Sequence, residues 1–323
     1  MEVYMKRSIQ LFTVSALAAG IAACGGGDGG QSTSSTGTVS FGITDAPTTN
    51  LSNVTISFTG MALKPANGNW VEFTFDEPKS LNLLEYQDGL SAPLITDEKV
   101  PAGQYSELRL NINVEDSDTD DDSLPDSFVI TEDAPDDQKT LAVPSSVLKL
   151  KGDFLVAADT TTDFTIDFDV KKSIVDPQGG SLADFLLKPS LRLVNNLQVG
   201  SIKGEVDYTT INSARLADDQ RPDCADNYEG SVYIFEGPDV EPTDINVNSE
   251  GLQPVMAAPV SDSDNDGMYN YTAAFLPKGD YTISYSCQLD NNETAEELDF
   301  QGTQNVEVIA DSTVQAGPIP LPQ

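Results

Sequence analysis

The sequence predicts an all-β protein: two antiparallel β-sandwich domains in tandem, behind an export signal and a flexible tether. Three observations carry that expectation. Apolar residues recur with period two, as strands with one buried face require. Pro, Gly, Asn and Asp separate the short strands, as in an all-β sandwich. No stretch sustains a helical stripe, although residues 80–87 have room for a turn or two. The expected divisions are residues 1–23 (signal), 24–37 (tether), 38–196 (first sandwich) and 197–323 (second sandwich).

Lys6 and Arg7 open the signal, and residues 8–23 are mostly apolar and end in small side chains. That run is shorter than the roughly 20 apolar residues of a membrane span and fits a cleaved leader. Ile21-Ala22-Ala23-Cys24 resembles a bacterial lipobox, in which Cys24 is acylated and the preceding chain removed. The resemblance implies a membrane partner through a lipid anchor. Gly25, standing where an aspartate would retain the protein in the inner membrane, implies the outer one. An ordinary secretory cut at Ala22 or Ala23 is the alternative. Each buried CH₂ contributes about 0.8 kcal/mol, so more than one acyl chain anchors stably. Residues 25–36 are Gly, Ser and Thr apart from Asp28 and Gln31. A coil of that length reaches roughly 20 Å on average.

In the first sandwich Val54, Ile56 and Phe58 alternate with Thr55, Ser57 and Thr59. Leu108, Leu110, Ile112 and Val114 alternate with polar residues, as do Phe164, Ile166, Phe168 and Val170. Residues 70–75 read as another strand. The second sandwich begins near residue 201, with strands expected at 230–235, 268–276, 280–287 and 305–309. The connection around Asn195-Asn196 is short, so the two units are expected to abut. One pattern occurs in both: Val100-Pro101-Ala102-Gly103-Gln104-Tyr105 and Leu276-Pro277-Lys278-Gly279-Asp280-Tyr281. Proline sets one turn position, glycine permits a positive φ, and tyrosine starts the next strand facing inward.

The chain has 17 Lys and Arg, 52 Asp and Glu, and a net charge of −35. Without residues 1–23 the counts are 15 and 51, or −36. Such a chain lacks the basic surface that nucleic acids require. The acid reads as a solubilising exterior or, in part, as cation-binding. There is no histidine, which excludes Ser-His-Asp and Cys-His catalysis and histidine-ligated zinc. Cys224 and Cys287 form an even pair in an exported chain and read as a disulfide. Closing a loop of that length is worth about 4 kcal/mol in the chain-entropy model. Two free buried thiols are the alternative.

Several stretches of the first unit resemble an uncharacterised family of exported bacterial and archaeal β domains, domain-of-unknown-function family 4382. They are Thr38-Val39-Ser40-Phe41-Gly42-Ile43-Thr44-Asp45-Ala46-Pro47, Ser80-Leu81-Asn82-Leu83-Leu84 and Pro101-Ala102-Gly103-Gln104-Tyr105. Leu148-Lys149-Leu150, Phe164-Thr165-Ile166-Asp167-Phe168-Asp169 and Leu187-Lys188-Pro189-Ser190-Leu191-Arg192-Leu193 follow. The resemblance implies a β domain and no established activity. The second unit resembles carboxypeptidase regulatory-like or transthyretin-like sandwiches. Ile202-Lys203-Gly204-Glu205-Val206 matches their first strand. The stretches Asp266-Gly267-Met268-Tyr269-Asn270-Tyr271 and Leu276-Pro277-Lys278-Gly279-Asp280-Tyr281 match their central hairpin. That resemblance implies binding or spacing.

Two acidic loops are candidate calcium sites. Asp262, Asp264 and Asp266 stand two apart before Gly267, with Asn270 at the ninth position. Alternate carboxylates and a bending glycine head a calcium loop. Ala273 occupies the twelfth position in place of a bidentate glutamate, and Asp-Gly between strands is also a plain hairpin turn. Asp118, Asp120, Asp122 and Asp126 form the second loop, which resembles the aspartate-rich repeats of thrombospondin-like proteins. Ser123 stands where glycine is expected, and a solvated acidic loop is the alternative. Tyr269, Tyr271 and Phe275 share one strand face and Tyr281, Ile283 and Tyr285 another; with Trp70 these aromatics read as a sugar platform or, by their alternation with Thr and Ser, as core. No Ser-x-x-Lys or Gly-x-Ser-x-Gly motif occurs. The expected role is a non-catalytic envelope module that binds a glycan or protein ligand at the cell surface or serves as structure. An accessory subunit of an envelope complex and a carboxylate hydrolase are the alternatives.

Overall fold

The computed structural model describes residues 35–46, 51–113, 126–177, 183–218, 221–263 and 265–320. In chain order come β1 (Thr36–Ala46), β2 (Leu51–Pro65), β3 (Val71–Asn82), β4 (Ala92–Pro101), β5 (Gly103–Ile112), β6 (Phe128–Thr131), β7 (Lys139–Ala142), β8 (Val147–Val156) and β9 (Thr161–Asp169). The short helix α1 (Val170–Ser173) precedes β10 (Ile174–Val175), β11 (Phe185–Leu187) and β12 (Leu191–Asn195). Then come β13 (Val199–Val206), α2 (Tyr208–Leu216), β14 (Ser231–Glu236), β15 (Met256–Pro259), β16 (Tyr269–Pro277), β17 (Gly279–Ser286), β18 (Gln301–Val308) and β19 (Thr313–Gln315).

The first body layers a four-stranded sheet, β12-β9-β1-β4, on a larger one, β10-β11-β7-β6-β2-β5-β8, with β3 also paired to β2. Its core holds the inward residues of both: Phe41, Phe58, Met61, Leu63, Leu110, Ile166 and Phe168 are all buried. Phe41 stacks on Phe164 at 5.0 Å, and Phe154 meets Phe164 edge-on at 5.2 Å. The second body layers β16-β13-β19 on β15-β14-β17-β18, around Ile202, Ile234, Leu276, Ile283 and Tyr285. The all-β sandwich architecture is therefore as expected. Antiparallel pairing dominates, but β1–β9, β7–β11 and β13–β19 run parallel.

The repeated Pro-x-Gly-x-Tyr pattern performs the same task twice. Each copy is a corner where the chain leaves one sheet and enters the facing one, β4 to β5 and β16 to β17. Gly103 sits at φ +136°, in open space, so its backbone conformation, not crowding, selects glycine. Tyr105 turns inward and its hydroxyl donates to the Pro101 carbonyl at 2.7 Å. Tyr281 does the same to Pro277 at 2.8 Å. The expected central hairpin is thus corrected: β16 and β17 do not pair with each other, because the turn crosses between layers.

Three expectations fail for identifiable reasons. α2 exists, although no helical stripe predicts it. Asp207 caps it by accepting from the Thr210 N–H at 3.0 Å, and only Ile211 and Arg215 are buried. With so few apolar anchors and several Thr, Asn and Ser, the helix leaves almost no periodic signal. Second, Phe275 does not share a face with Tyr271. It sits at φ +54° where the β13–β16 register slips, and the irregularity turns it outward. Third, several predicted wet faces are dry. Thr165, Asp167, Thr282, Ser284 and Ser286 are all buried. The outer face of β14 and β17 lies under a small cluster of Tyr233, Phe235, Ile245, Ala257, Leu298 and Phe300.

Candidate functional site

The densest polar chemistry gathers where the two bodies meet. Both belong to one compact unit. β9 ends at Asp169, which caps α1: one oxygen accepts from the Lys172 N–H at 3.0 Å and the other pairs with Lys172 Nζ at 2.8 Å. Asp45, at the end of β1, accepts from the Val170 N–H at 3.0 Å. Two carboxylates therefore fix one helical turn, and that turn delivers two lysines into the second body. Lys171 Nζ lies 3.2 Å from Asp290 Oδ2, with side-chain exposures of 6% and 0%. The same oxygen accepts from Tyr233 Oη at 2.8 Å and from the Ile245 N–H at 3.1 Å. Lys171 Nζ also stands 5.6 Å from the Tyr233 ring centroid. Lys172 Nζ donates to the Pro254 carbonyl at 2.7 Å, and Asn292 Nδ2 donates to the Lys171 carbonyl.

Burial dominates the electrostatics here. It pushes the Asp45 carboxyl well above the usual range, opposed in part by the Val170 N–H. Burial also raises Asp167, against the pull of Arg192. Arg192 Nε is 3.1 Å from Asp167 Oδ2 and Nη2 is closer, while Asp167 Oδ1 and Asp290 Oδ1 are buried without a partner. Raised carboxyls are what a hydrolase site would use. The space beside Asp45, Asp88 and Asp167 measures only about 10 Å³, which is too small for a substrate. These carboxyls build structure.

Two larger hollows open to solvent. One, of about 650 Å³, lies beside the Lys171–Asp290 pair and is lined by Asp133, Asp176, Asn292 and Glu293 among others. The other, of about 660 Å³, follows the seam of the first body between β8 and β12. Each of those strands ends its sheet. Phe154 and Phe164 line the seam, and Leu155 and Leu197 beside it are 57% and 73% exposed.

The predicted site residues fare unevenly. Cys24, Asp118, Asp120, Asp122 and Asp264 lie outside the described residues. Asp126 accepts from Asn113 Nδ2 at 2.6 Å. Asp262 accepts from the Asp266 and Gly267 N–H groups at 3.0 and 2.9 Å. Asp266 accepts from the Met268 N–H at 2.8 Å, and Asn270 Nδ2 donates to the Met268 carbonyl at 3.1 Å. The described part of that loop thus closes on its own backbone. Among the described residues no group of three or more acidic or cysteine side chains is arranged to hold a metal. Cys224 and Cys287 do form a disulfide, 4.9 Å between Cα atoms. Tyr271, Tyr281 and Tyr285 are core. Trp70 is not: it stands half-buried on an outer sheet face, with Arg109 Cζ 4.0 Å from its ring centroid. Asp45, Asp167, Lys171 and Asp290 carried no sequence signal of a shared site. The first two lie in motifs quoted above, but nothing local says that they converge.

No curated protein matches the chain. Among solved structures it is similar to a leucine-rich repeat protein from Bacteroides thetaiotaomicron, at 13% identity and TM-score 0.20, over 89% of this chain and 26% of that one. It is similar to the Bacillus anthracis TIE protein at 12% identity and TM-score 0.19, over 88% and 33%. It is similar to GBS52, the minor pilin of Streptococcus agalactiae, at 10% identity and TM-score 0.19, over 88% and 97%. The chain spans about a quarter and a third of the length of the first two. Overlaps this slight carry no argument about role. The family model described as Domain of unknown function (DUF4382) matches residues 36–189. That span holds both halves of the β1–β9 parallel pair, the first sandwich corner and the α1 turn. Residues 36–189 are thus a DUF4382 segment within this chain.

Proposed function

We propose that this protein is a non-catalytic binding or structural module of the cell envelope, anchored to the outer membrane by lipid on Cys24. In this reading residues 1–23 are removed, residues 24–37 are the tether, and the two sandwich domains divide near residue 196. A spacing role, as of carboxypeptidase regulatory-like sandwiches, suits the second domain. Calcium at Asp118, Asp120, Asp122 and Asp126, and at Asp262, Asp264, Asp266 and Asn270, would stiffen the loops in the millimolar class of extracellular modules.

One observation supports this reading above the others: the buried Lys171–Asp290 pair and its helical turn fix the two bodies against each other. A module that presents a surface at a distance from a membrane needs such fixed geometry. Buried ion pairs cost several kcal/mol of desolvation per ion, so in this reading the pair is kept for the arrangement it specifies. Fractionation of cells making the Cys24→Ala form tests the anchor; retention on the membrane would sink it. Thermal melts in millimolar calcium test the loops. A rise that Asp120→Ala and Asp264→Ala abolish supports them, and an unchanged melt removes calcium from the account.

A second reading, an accessory subunit of an envelope complex, draws support from the seam. Two sheet edges flank a hollow rimmed by exposed Leu155 and Leu197, and unpaired edges invite strand addition. Native electrophoresis of detergent extracts tests it. A species of monomer size that Leu155→Asp and Leu197→Asp leave unchanged would refute it.

A further inference from the structure

The outer face of β3-β2-β5-β8 carries cations that the acidic composition hides. In register across the strands, Arg109 stands opposite Lys149, and Glu107 stands opposite both Lys64 and Lys151. Ala62 separates Arg109 from Glu72. Lys64, Arg109, Lys149 and Lys151 therefore share one flat face with only Glu72 and Glu107 among them. Four of the chain's 17 cations and its only tryptophan thus gather on one face of a molecule of charge −35.

The face is also prepared for a ligand. Arg109 stands over Trp70, its Cζ 4.0 Å from the ring centroid, and Lys64 Nζ is 5.7 Å from the same ring. Glu107 holds Arg109 through Nε at 2.7 Å. This leaves the terminal guanidinium nitrogens without a protein partner among the described residues. Lys149 and Lys151 are exposed and enter no ion pair among the described residues. A held guanidinium is the preferred grip on a carboxylate or sulfate, because its planar donors match two oxygens at once.

We infer that this face binds an anionic polysaccharide, with carboxylates on Arg109, Lys149 and Lys151 and a sugar ring against the Trp70 edge. The occupant follows from what the face offers and lacks. A protein interface needs a desolvated apolar centre with anchors in pockets, and this face has one aromatic ring and no apolar cluster. Strand spacing of about 4.8 Å sets neighbouring cations at distances close to one sugar unit of an extended chain. Nucleic acid carries denser charge and would meet the repulsion of the remaining acid. The inference rests on the reading of this protein as a binding module and narrows it to one ligand class.

Because Trp70 is the only tryptophan, its fluorescence reports this face alone. The full mature chain is titrated with an oligogalacturonate, with a neutral maltooligosaccharide and an oligo-aspartate of equal length as separate arms. The expected result is a saturable change with the oligogalacturonate only, weakening as salt rises. Lys149→Gln and Lys151→Gln should each weaken it roughly threefold to fivefold, as for loss of an exposed ion pair, with unchanged thermal melts. No fluorescence change at millimolar oligogalacturonate would overturn the inference, as would equal binding of oligo-aspartate or indifference to the lysine changes. Binding of the neutral sugar alone would also overturn it while leaving the binding-module reading intact. Association of the chain with itself at low salt would reassign the face to a second copy.

Discussion

Lys171→Met is the most informative single change. The variant keeps most of the lysine's volume and removes its charge. Asp290 then stays fully buried with its charge uncompensated, holding only the Tyr233 hydroxyl and the Ile245 N–H. Its second oxygen already lacks a partner, so nothing nearby can take up the slack. Removing one member of a buried pair costs about 3–5 kcal/mol. For a body of this size each kcal/mol lowers the melting temperature by roughly 2–4 °C, so a fall on the order of 10 °C is expected.

Asp290→Asn alone should also destabilise, because it strands a buried ammonium. The double variant should recover much of the loss. Its asparagine oxygen still accepts from Tyr233 and Ile245, and no net charge stays inside. Urea unfolding of the four proteins gives the coupling directly, expected at about 2 kcal/mol or more for groups in one network. A Lys171→Met protein within about 1 kcal/mol of the parent, or single losses that simply add in the double, would refute the reasoning.

Two other perturbations follow from the corners and the buried acids. Tyr105→Phe and Tyr281→Phe each remove one hydroxyl-to-proline bond, so each should cost about 1 kcal/mol and, lying in different cores, should add; urea midpoints check this. Burial holds the Asp45 and Asp167 carboxyls above their usual range. The stability they contribute is complete below the unfolded pKa of about 3.9 and is lost as pH rises through the raised folded values. Melting temperature should therefore fall as pH rises from about 4 towards neutrality, and the gain from Asp45→Asn, whose amide oxygen still accepts from Val170, should grow over that range. A gain independent of pH would contradict the assignment.

Much of the fold was readable because each strand's apolar face reports itself. Val54, Ile56 and Phe58 are buried as their alternation demands. The paired Pro-x-Gly-x-Tyr stretches marked two corners between sheets, and two cysteines announced their bond. What period two cannot report is the fate of the polar face. Thr165 and Asp167 read as wet, yet they are dry: the Thr165 hydroxyl donates to Asn196, and Asp167 pairs with Arg192 and lies beside Met256 and Ala274 of the second body. The α1 turn is four residues long, too short for any periodic signal. Lys171 and Asp290 are 119 residues apart, and a lysine pair in an acidic chain looks like any other surface cations.

The family segment, residues 36–189, includes Asp45, Asp167, Asp169 and Lys171 but ends before Asp290 and Pro254. Lys171 thus finds its counter-charge outside the segment that defines the family. Cutting the chain after residue 196 removes Asp290, but it also removes the cover over Lys171. The ammonium then meets water rather than an emptied low-dielectric site, and Asp167, which lies beside Met256 and Ala274, gains solvent. The first core, from Phe41 to Phe168, is untouched. Truncation should therefore harm the first body less than Lys171→Met harms the whole chain, although it deletes far more contacts. A folded 36–196 fragment that unfolds cooperatively, with the Lys171→Met change nearly neutral within it, is the expected result in urea. If the fragment fails to fold, or if the substitution still costs several kcal/mol there, the penalty does not come from a charge stranded between the bodies.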